Sequence, residues 1–218
     1  MSEFAVARHN MVESQIRPSS VTDRRVINAM AETPREAFLP SSKRSLSYMG
    51  EDVEIAPGRY LMSPTVFARL AQLAEIQPGD LLLDVGCGSG YSSAVLAQLA
   101  ESVVAVESDE ALATDATENL SELGVDNVAV VTGPLENGLA AEGPYDVIFL
   151  NGAVEQVPSQ LIDQLNEGGR LVAVMSTPGI GRAQVFKKSD STFADRIAFD
   201  ATIPSLPGFE AEEAGFEF

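Results

Sequence analysis

The chain has 218 residues, 45% of them apolar, and a formal net charge of −18 at neutral pH. That is enough for one large α/β domain or two small ones with a packed core, and such acidity argues against a nucleic-acid partner, whose phosphates it would repel. No apolar run approaches the roughly 20 residues needed to span a bilayer, so no membrane partner is expected.

The first 17 residues hold no long apolar core, so no secretory signal is read there. The single cysteine, Cys87, rules out an internal disulfide and suits a reducing compartment, which makes a cytoplasmic location the expectation. Charge is uneven. Residues 1–60 hold eight Lys/Arg and eight Asp/Glu, whereas residues 61–218 hold six against 24 and carry the whole excess. Only Lys43, Lys187 and Lys188 are lysines, and an acidic, lysine-poor surface is compatible with a salt-rich habitat.

Residues 4–17 read as a helix. Val21 to Ala31 reads as a second, with Thr22 or Asp23 as N-cap and Pro34 beyond its end. The stretch from Pro34 to Met62 contains Pro40, Gly50, Pro57 and Gly58 and reads as loops with short extended pieces. Pro64 then opens a helix to Glu75, with Ser63 as N-cap and Val66, Phe67, Leu70 and Leu73 as its buried stripe. From Leu81 the pattern becomes βα. Strands are expected at Leu81–Val85, Val103–Glu107, Val128–Thr132, Asp146–Leu150 and Arg170–Met175. Helices are expected at Tyr91–Ala100, Glu110–Leu123 and Ser159–Asn166. The strands are continuous apolar runs, as in a parallel sheet covered on both faces. Ala183–Lys187 and Arg196–Ile203 are candidates for a terminal hairpin, and Phe209–Phe218 for an edge strand or a loose arm. The expected fold is a doubly wound, mostly parallel α/β sheet of Rossmann type. Residues 1–62 form a helical and loop extension covering the active site, and residues 63–218 form the cofactor-binding domain.

The most informative stretch is Leu81 to Tyr91, where a strand ends in Asp84 and glycines alternate at Gly86, Gly88 and Gly90 before a helix. Glycine lacks a Cβ, so a ligand can press against such a turn. The G-x-G-x-G spacing after an acidic residue differs from the dinucleotide G-x-G-x-x-G and points to S-adenosylmethionine rather than NAD. Glu107, at the end of the next strand, is placed to accept hydrogen bonds from ribose hydroxyls. Asp84 suits an ammonium-bearing ligand. Cys87, Tyr91 and Ser108 belong to the same turns. Gly133, Pro134 and Leu135 would flank the adenine, and Asn151 lies at the mouth where a methyl would be presented. Cys87 is read as a small residue of the turn rather than a nucleophile. His9 and Cys87 are too far apart in sequence for a convincing metal site, so no metal is expected.

Several segments together resemble the protein-L-isoaspartate O-methyltransferase family. They are Met11-Val-Glu-Ser-Gln-Ile-Arg17, Asp23-Arg-Arg-Val26, Ala29-Met30, Pro34-Arg-Glu-Ala-Phe-Leu-Pro40, Gln77-Pro-Gly-Asp80, Asp84 to Tyr91, Ala94-Val-Leu-Ala97, Tyr145-Asp146 and Gln164 to Leu171. The match covers most of residues 10–175. It implies a class I methyltransferase that moves a methyl from S-adenosylmethionine to the α-carboxylate of L-isoaspartyl residues in damaged proteins, leaving S-adenosylhomocysteine. The ester then cyclises to a succinimide. Partners would be isoaspartyl proteins or peptides.

In the family a Gly-Gln-Thr-Ile-Ser segment, with a proline two residues on, supplies hydroxyls to the acceptor. Here the residues are Gly58-Arg59-Tyr60-Leu61-Met62-Ser63-Pro64, which puts Tyr60 at the threonine and Met62 at the serine. Ser63, one position later, is the candidate catalytic residue. Arg59 and Tyr60 join it as candidate acceptor-binding residues, or they cover the cofactor. Thr132 also departs from the aspartate usual before Gly133. Two alternatives stay open: a methyltransferase for another carboxylate or a small molecule, and a protein that binds the cofactor without turnover.

Overall fold

The computed structural model describes residues 2–177, 179–189 and 192–211. Its main sheet has seven strands in the order β5-β4-β3-β6-β7-β8-β9. The strands are β3 (Leu81–Val85), β4 (Ser102–Glu107), β5 (Val128–Thr132), β6 (Tyr145–Val154), β7 (Leu165–Met175), β8 (Arg182–Ser189) and β9 (Thr192–Asp200). The first five are mutually parallel, and β8 and β9 add on antiparallel. The expected doubly wound, mostly parallel sheet and its terminal hairpin are therefore present.

Both faces of the sheet are buried at its centre, where β3, β4, β6 and β7 are largely apolar runs, whereas β5 is partly exposed and β9 mostly exposed. Leu82, Val103, Val147, Phe149 and Val172 join one core cluster, while Leu83, Val104, Ile148, Leu150 and Leu171 join another on the opposite face. Successive side chains of a strand point to opposite faces, so continuous apolar runs give two cores. The larger cluster also takes in Met11, Ile16, Met30 and Phe38 from the N-terminal segments.

Helix α1 spans Glu3–Met11 and passes into a π-helical turn at Val12–Ile16 and a 3-10 turn at Arg17–Ser19. The segment expected as one helix is thus helical throughout but leaves α geometry at Val12, and Pro18, just past its end, cannot donate to the ladder. Helix α2 spans Arg24–Glu32 and settles the choice of cap: Asp23 accepts from the Arg25 N–H at 2.8 Å. Strands β1 (Val53–Ala56) and β2 (Arg59–Leu61) form a separate antiparallel hairpin, and α3 follows at Pro64–Leu73. Its buried side chains include Phe67 and Leu70, while Val66 and Leu73 are partly buried against the same cluster. Helices α4 (Tyr91–Leu96), α5 (Glu110–Glu122) and α6 (Ser159–Asp163) complete the layers.

Two strands run further than expected. Strand β6 reaches Val154 because the segment after β9 pairs with it: the Ala153 N–H donates to Pro204 O at 2.9 Å, and the Leu206 N–H donates to Ala153 O at 2.8 Å. Strand β7 begins at Leu165, ahead of Gly168 and Gly169 where a helix end was expected. Strand β9 starts at Thr192 and ends at Asp200, earlier at both ends than read from sequence. Residues 212–218 of the expected terminal arm lie outside the described residues, and Phe209 is buried in the second cluster.

Candidate active site

The carboxyl ends of β3, β4 and β6 meet at the glycine turn. The Gly86 N–H donates to Val106 O at 2.8 Å, and the Gly90 N–H closes the turn on Cys87 O at 3.0 Å. Gly86 and Gly88 take φ of +79° and +57°. A side chain at Gly86 would stand 2.6 Å from Leu206 Cδ2, and one at Gly88 would stand 2.8 Å from Ile55 Cδ1. Only glycine meets both demands, a left-handed backbone and a neighbour against the Cα. Cys87 is buried, and desolvation pushes its thiol well up, with the charges of Asp84 and Glu107 adding to the effect. A thiol held protonated is a poor nucleophile, in line with its reading as a small turn residue. The Tyr91 ring packs between Phe38 and Phe67, each 5.6 Å away, with the Arg35 guanidinium 4.8 Å from its centroid.

Two carboxylates end adjacent strands here. Asp84 is 0% exposed. Its Oδ2 accepts from Ser92 Oγ at 2.6 Å and from Ser93 Oγ at 2.7 Å, while its Oδ1 has no partner. Asn151 Nδ2 donates to Ser92 Oγ at 2.7 Å, which ties the mouth of the site to the same network. Desolvation raises the Asp84 carboxyl to about 6 against the pull of the two serines, with the Glu107 charge adding to the rise.

Glu107 is also 0% exposed, but both its oxygens are engaged. Arg59 Nη1 donates to Oε1, and Arg59 Nη2 donates to Oε2 at 2.7 Å. The Gly88 N–H reaches Oε2 at 2.8 Å, and the Ser108 and Asp109 N–H groups reach Oε1 at 2.8 and 3.1 Å. The sequence reads Glu107 as open to ribose hydroxyls and Arg59 as either a grip for an acceptor carboxylate or a cover for the cofactor. In the structure Arg59 grips Glu107 itself, across 48 positions of sequence. A planar guanidinium and a carboxylate match as a fork, and β2 delivers one to the other.

The segment read from sequence as the candidate acceptor loop is the β1–β2 hairpin and its exit. Exposure alternates along β2, so Arg59 and Leu61 turn inward and Tyr60 outward. Met62 O accepts from Arg35 Nη2 at 2.5 Å, and the Ser63 N–H donates to Asp52 Oδ1 at 2.6 Å. Burial raises the Asp52 carboxyl, opposed by that N–H and by Arg35. Ser63 sits at the N-cap position of α3, but its side chain makes no capping bond there. Asp52 instead fixes the backbone of Ser63 through that N–H.

Asp52, Arg59, Tyr60, Met62, Asn151 and Gly152 line one cleft, closed on its far side by residues 203–206. Its free interior is about 10 Å³, roughly the room for one water. Ser63 lies buried beside it, 7% exposed. On the other flank the Gly133 N–H donates to Glu107 O at 2.9 Å. Pro134 opens a 3-10 turn at Leu135–Asn137, and Leu135 is buried.

This set fits an S-adenosyl cofactor. A glycine cradle tolerates close approach, a buried carboxylate keeps an unused acceptor suited to an ammonium, and an acidic strand end lies where a ribose is expected. Sequence reasoning missed Ser92 and Ser93, although two hydroxyls one helical turn past the glycines were a local signal. It also missed Arg35, Asp52, Ile55 and Leu206, which reach the site from distant segments.

Comparison with known proteins agrees. The family model described as protein-L-isoaspartate(D-aspartate) O-methyltransferase matches residues 6–202. A protein-L-isoaspartate O-methyltransferase of Koribacter versatilis (strain Ellin345) is 37% identical over 188 residues, 86% of this chain and 85% of that protein. A solved protein-L-isoaspartate O-methyltransferase superposes with a TM-score of 0.81 at 27% identity, covering 92% of this chain and 66% of that one. A Plasmodium falciparum structure of the same type, in complex with S-adenosyl-L-homocysteine, shares the fold with a TM-score of 0.77 at 22% identity, covering 94% of this chain and 99% of that one.

Proposed function

The chain belongs to the protein-L-isoaspartate(D-aspartate) O-methyltransferase family, and on that premise we propose that it methylates the α-carboxylate of L-isoaspartyl residues in damaged proteins. Its cofactor is S-adenosylmethionine, which supplies an electrophilic sulfonium methyl when bound. The observation that carries the reading is the meeting of the glycine turn, Asp84 and Glu107 with the Gly58–Ser63 loop at one end of the sheet, the loop sharing its cleft with Asn151.

A carboxylate acceptor is already anionic at neutral pH, so no residue here has to remove a proton. The work left to the protein is alignment. Gly86, Cys87, Gly88, Gly90 and the Tyr91 backbone form the cradle. Asp84 faces the ammonium end of the ligand, and Glu107 and Ser108 the ribose. Gly133, Pro134 and Leu135 border the adenine, and Asn151 the mouth. Arg59, Tyr60 and Ser63 hold the acceptor, Arg59 by a charge-assisted bond. Residues 1–62 act as the cover and residues 63–218 as the cofactor-binding unit. A cytoplasmic setting agrees with the lone buried thiol, and among the described residues no helix is long and apolar enough to cross a membrane.

Incubation with labelled S-adenosylmethionine and an isoaspartyl peptide tests the proposal. Base-labile label on the peptide is the expected result, and cofactor binding with no transfer would sink it. A second reading, methylation of a different carboxylate or small molecule, draws on Tyr60 and Met62 standing where the family has hydroxyls. Label on a small acid instead of the peptide would favour it.

A further inference from the structure

The geometry points to Arg59 as a latch that is passed between two carboxylates: it holds Glu107 until a ribose takes that place, and the released guanidinium then meets the acceptor. The inference rests on the function proposed above and adds an order of binding to it.

Three observations carry it. First, Glu107 has no spare capacity. Its two oxygens receive a bidentate guanidinium and backbone N–H groups of Gly88, Ser108 and Asp109. The backbone donors belong to the turn and stay with it, so Arg59 is the partner that has to leave for a ribose hydroxyl to enter. Second, Arg59 also lies on the cradle, its Nη2 donating to Gly86 O at 3.3 Å, and Leu206 lies against Gly86 beside it and against Gly152. The cradle is covered by one charged side chain, Arg59, and by the apolar Leu206 and Ile55. Third, Arg59 lines the acceptor cleft as well. A short swing of a long side chain changes its partner without moving β2.

A buried guanidinium without a counter-charge is costly, so an Arg59 freed from Glu107 seeks another anion, and the acceptor carboxylate is the one the reaction brings. Cofactor and acceptor are then coupled with positive sign, and by linkage each tightens the other. An acceptor arriving first finds the guanidinium already paired.

Calorimetry with S-adenosylhomocysteine and an isoaspartyl peptide tests the latch. Arg59→Gln keeps the side chain polar and removes the competitor. It should bind S-adenosylhomocysteine at least about tenfold more tightly than wild type, and Arg59→Lys, with a single point charge, should fall between. If Arg59→Gln does not fold, Arg59→Lys carries the same test, since it keeps the charge and loses the fork: tighter cofactor binding than wild type is expected, and equal or weaker binding overturns the latch. Wild type should bind the peptide only when S-adenosylhomocysteine is present. Equal or weaker cofactor affinity in Arg59→Gln overturns the latch, and so does peptide binding that ignores the cofactor; label transfer by wild type would leave the proposed function standing in either case. Tighter cofactor binding in Arg59→Gln, with no peptide bound or labelled by any form, supports the cofactor half of the latch and sinks the isoaspartyl reading and the hand-over to it.

Discussion

Asp84 and Glu107 end neighbouring strands, border the same glycine turn and are both fully buried, yet they are supplied very differently. Glu107 has a donor for every acceptor position it can use. Asp84 has two serine hydroxyls on one oxygen and nothing on the other. Burial alone therefore does not separate a structural carboxylate from a ligand-seeking one. The donor inventory does, because a buried acceptor left unpaired carries a desolvation cost that a ligand can relieve.

The comparison breaks most severely at the saturated member. Glu107→Ala leaves the Arg59 guanidinium buried without its partner, and removing one side of a buried pair costs about 3–5 kcal/mol. Denaturant unfolding should register that loss, and S-adenosylhomocysteine affinity should fall with it. An unchanged midpoint would mean that Arg59 finds another anion within the fold.

At the under-supplied member the expected effect is somewhat smaller and depends on pH. The Asp84 carboxyl is raised to about 6 from 3.8 in the unfolded chain, so between those values the native state binds the extra proton. Its contribution to stability is full below pH 4 and is lost as pH climbs through 6. The shift corresponds to about 3 kcal/mol. Asp84→Asn should remove most of that slope from unfolding measured across pH 4 to 7. Affinity for S-adenosylhomocysteine should rise with pH in wild type, by up to about tenfold per unit below 6, and stay flat in the variant. A flat wild-type profile would place the ammonium elsewhere.

Ser63→Ala sharpens the division between cofactor and acceptor. One lost hydroxyl bond is worth about 0.5–1.5 kcal/mol, so transfer to the peptide should drop by up to about tenfold while cofactor affinity holds. Equal loss of both would remove Ser63 from the acceptor side. The smallest effect expected is global. The net charge of −18 repels itself, and raising salt from about 0.1 M to about 1 M shrinks the screening length from about 10 to about 3 Å. The melting temperature should climb by a few degrees, and a fall would count against surface repulsion as a cost.

What the sequence made legible was local. The strand ends, the glycine turn and Asp84 with its neighbours lie within one short stretch, where spacing and periodicity speak directly. The cap at Asp23 was equally local. The pairing of Arg59 with Glu107 was not, since it joins positions 48 apart and nothing in either segment announces the other. The same holds for Leu206, which arrives from a tail with no strong period, and for Asp52, which holds the N–H of Ser63 across the hairpin. The loop between Gly58 and Pro64 was recognised as the place of departure from the family, but composition alone could not say that its arginine turns inward.

The acceptor loop is clamped from both sides: Arg35 holds the carbonyl of Met62 and Asp52 holds the N–H of Ser63. Sliding the loop by one residue, so that Ser63 stood where Met62 stands, would exchange the inward and outward faces of β2 and release both clamps together. The register of this loop is thus held by two backbone clamps rather than by the side chains of Tyr60 and Met62. A hydroxyl at the position of Met62 therefore takes a replacement of that side chain and no slip of the loop.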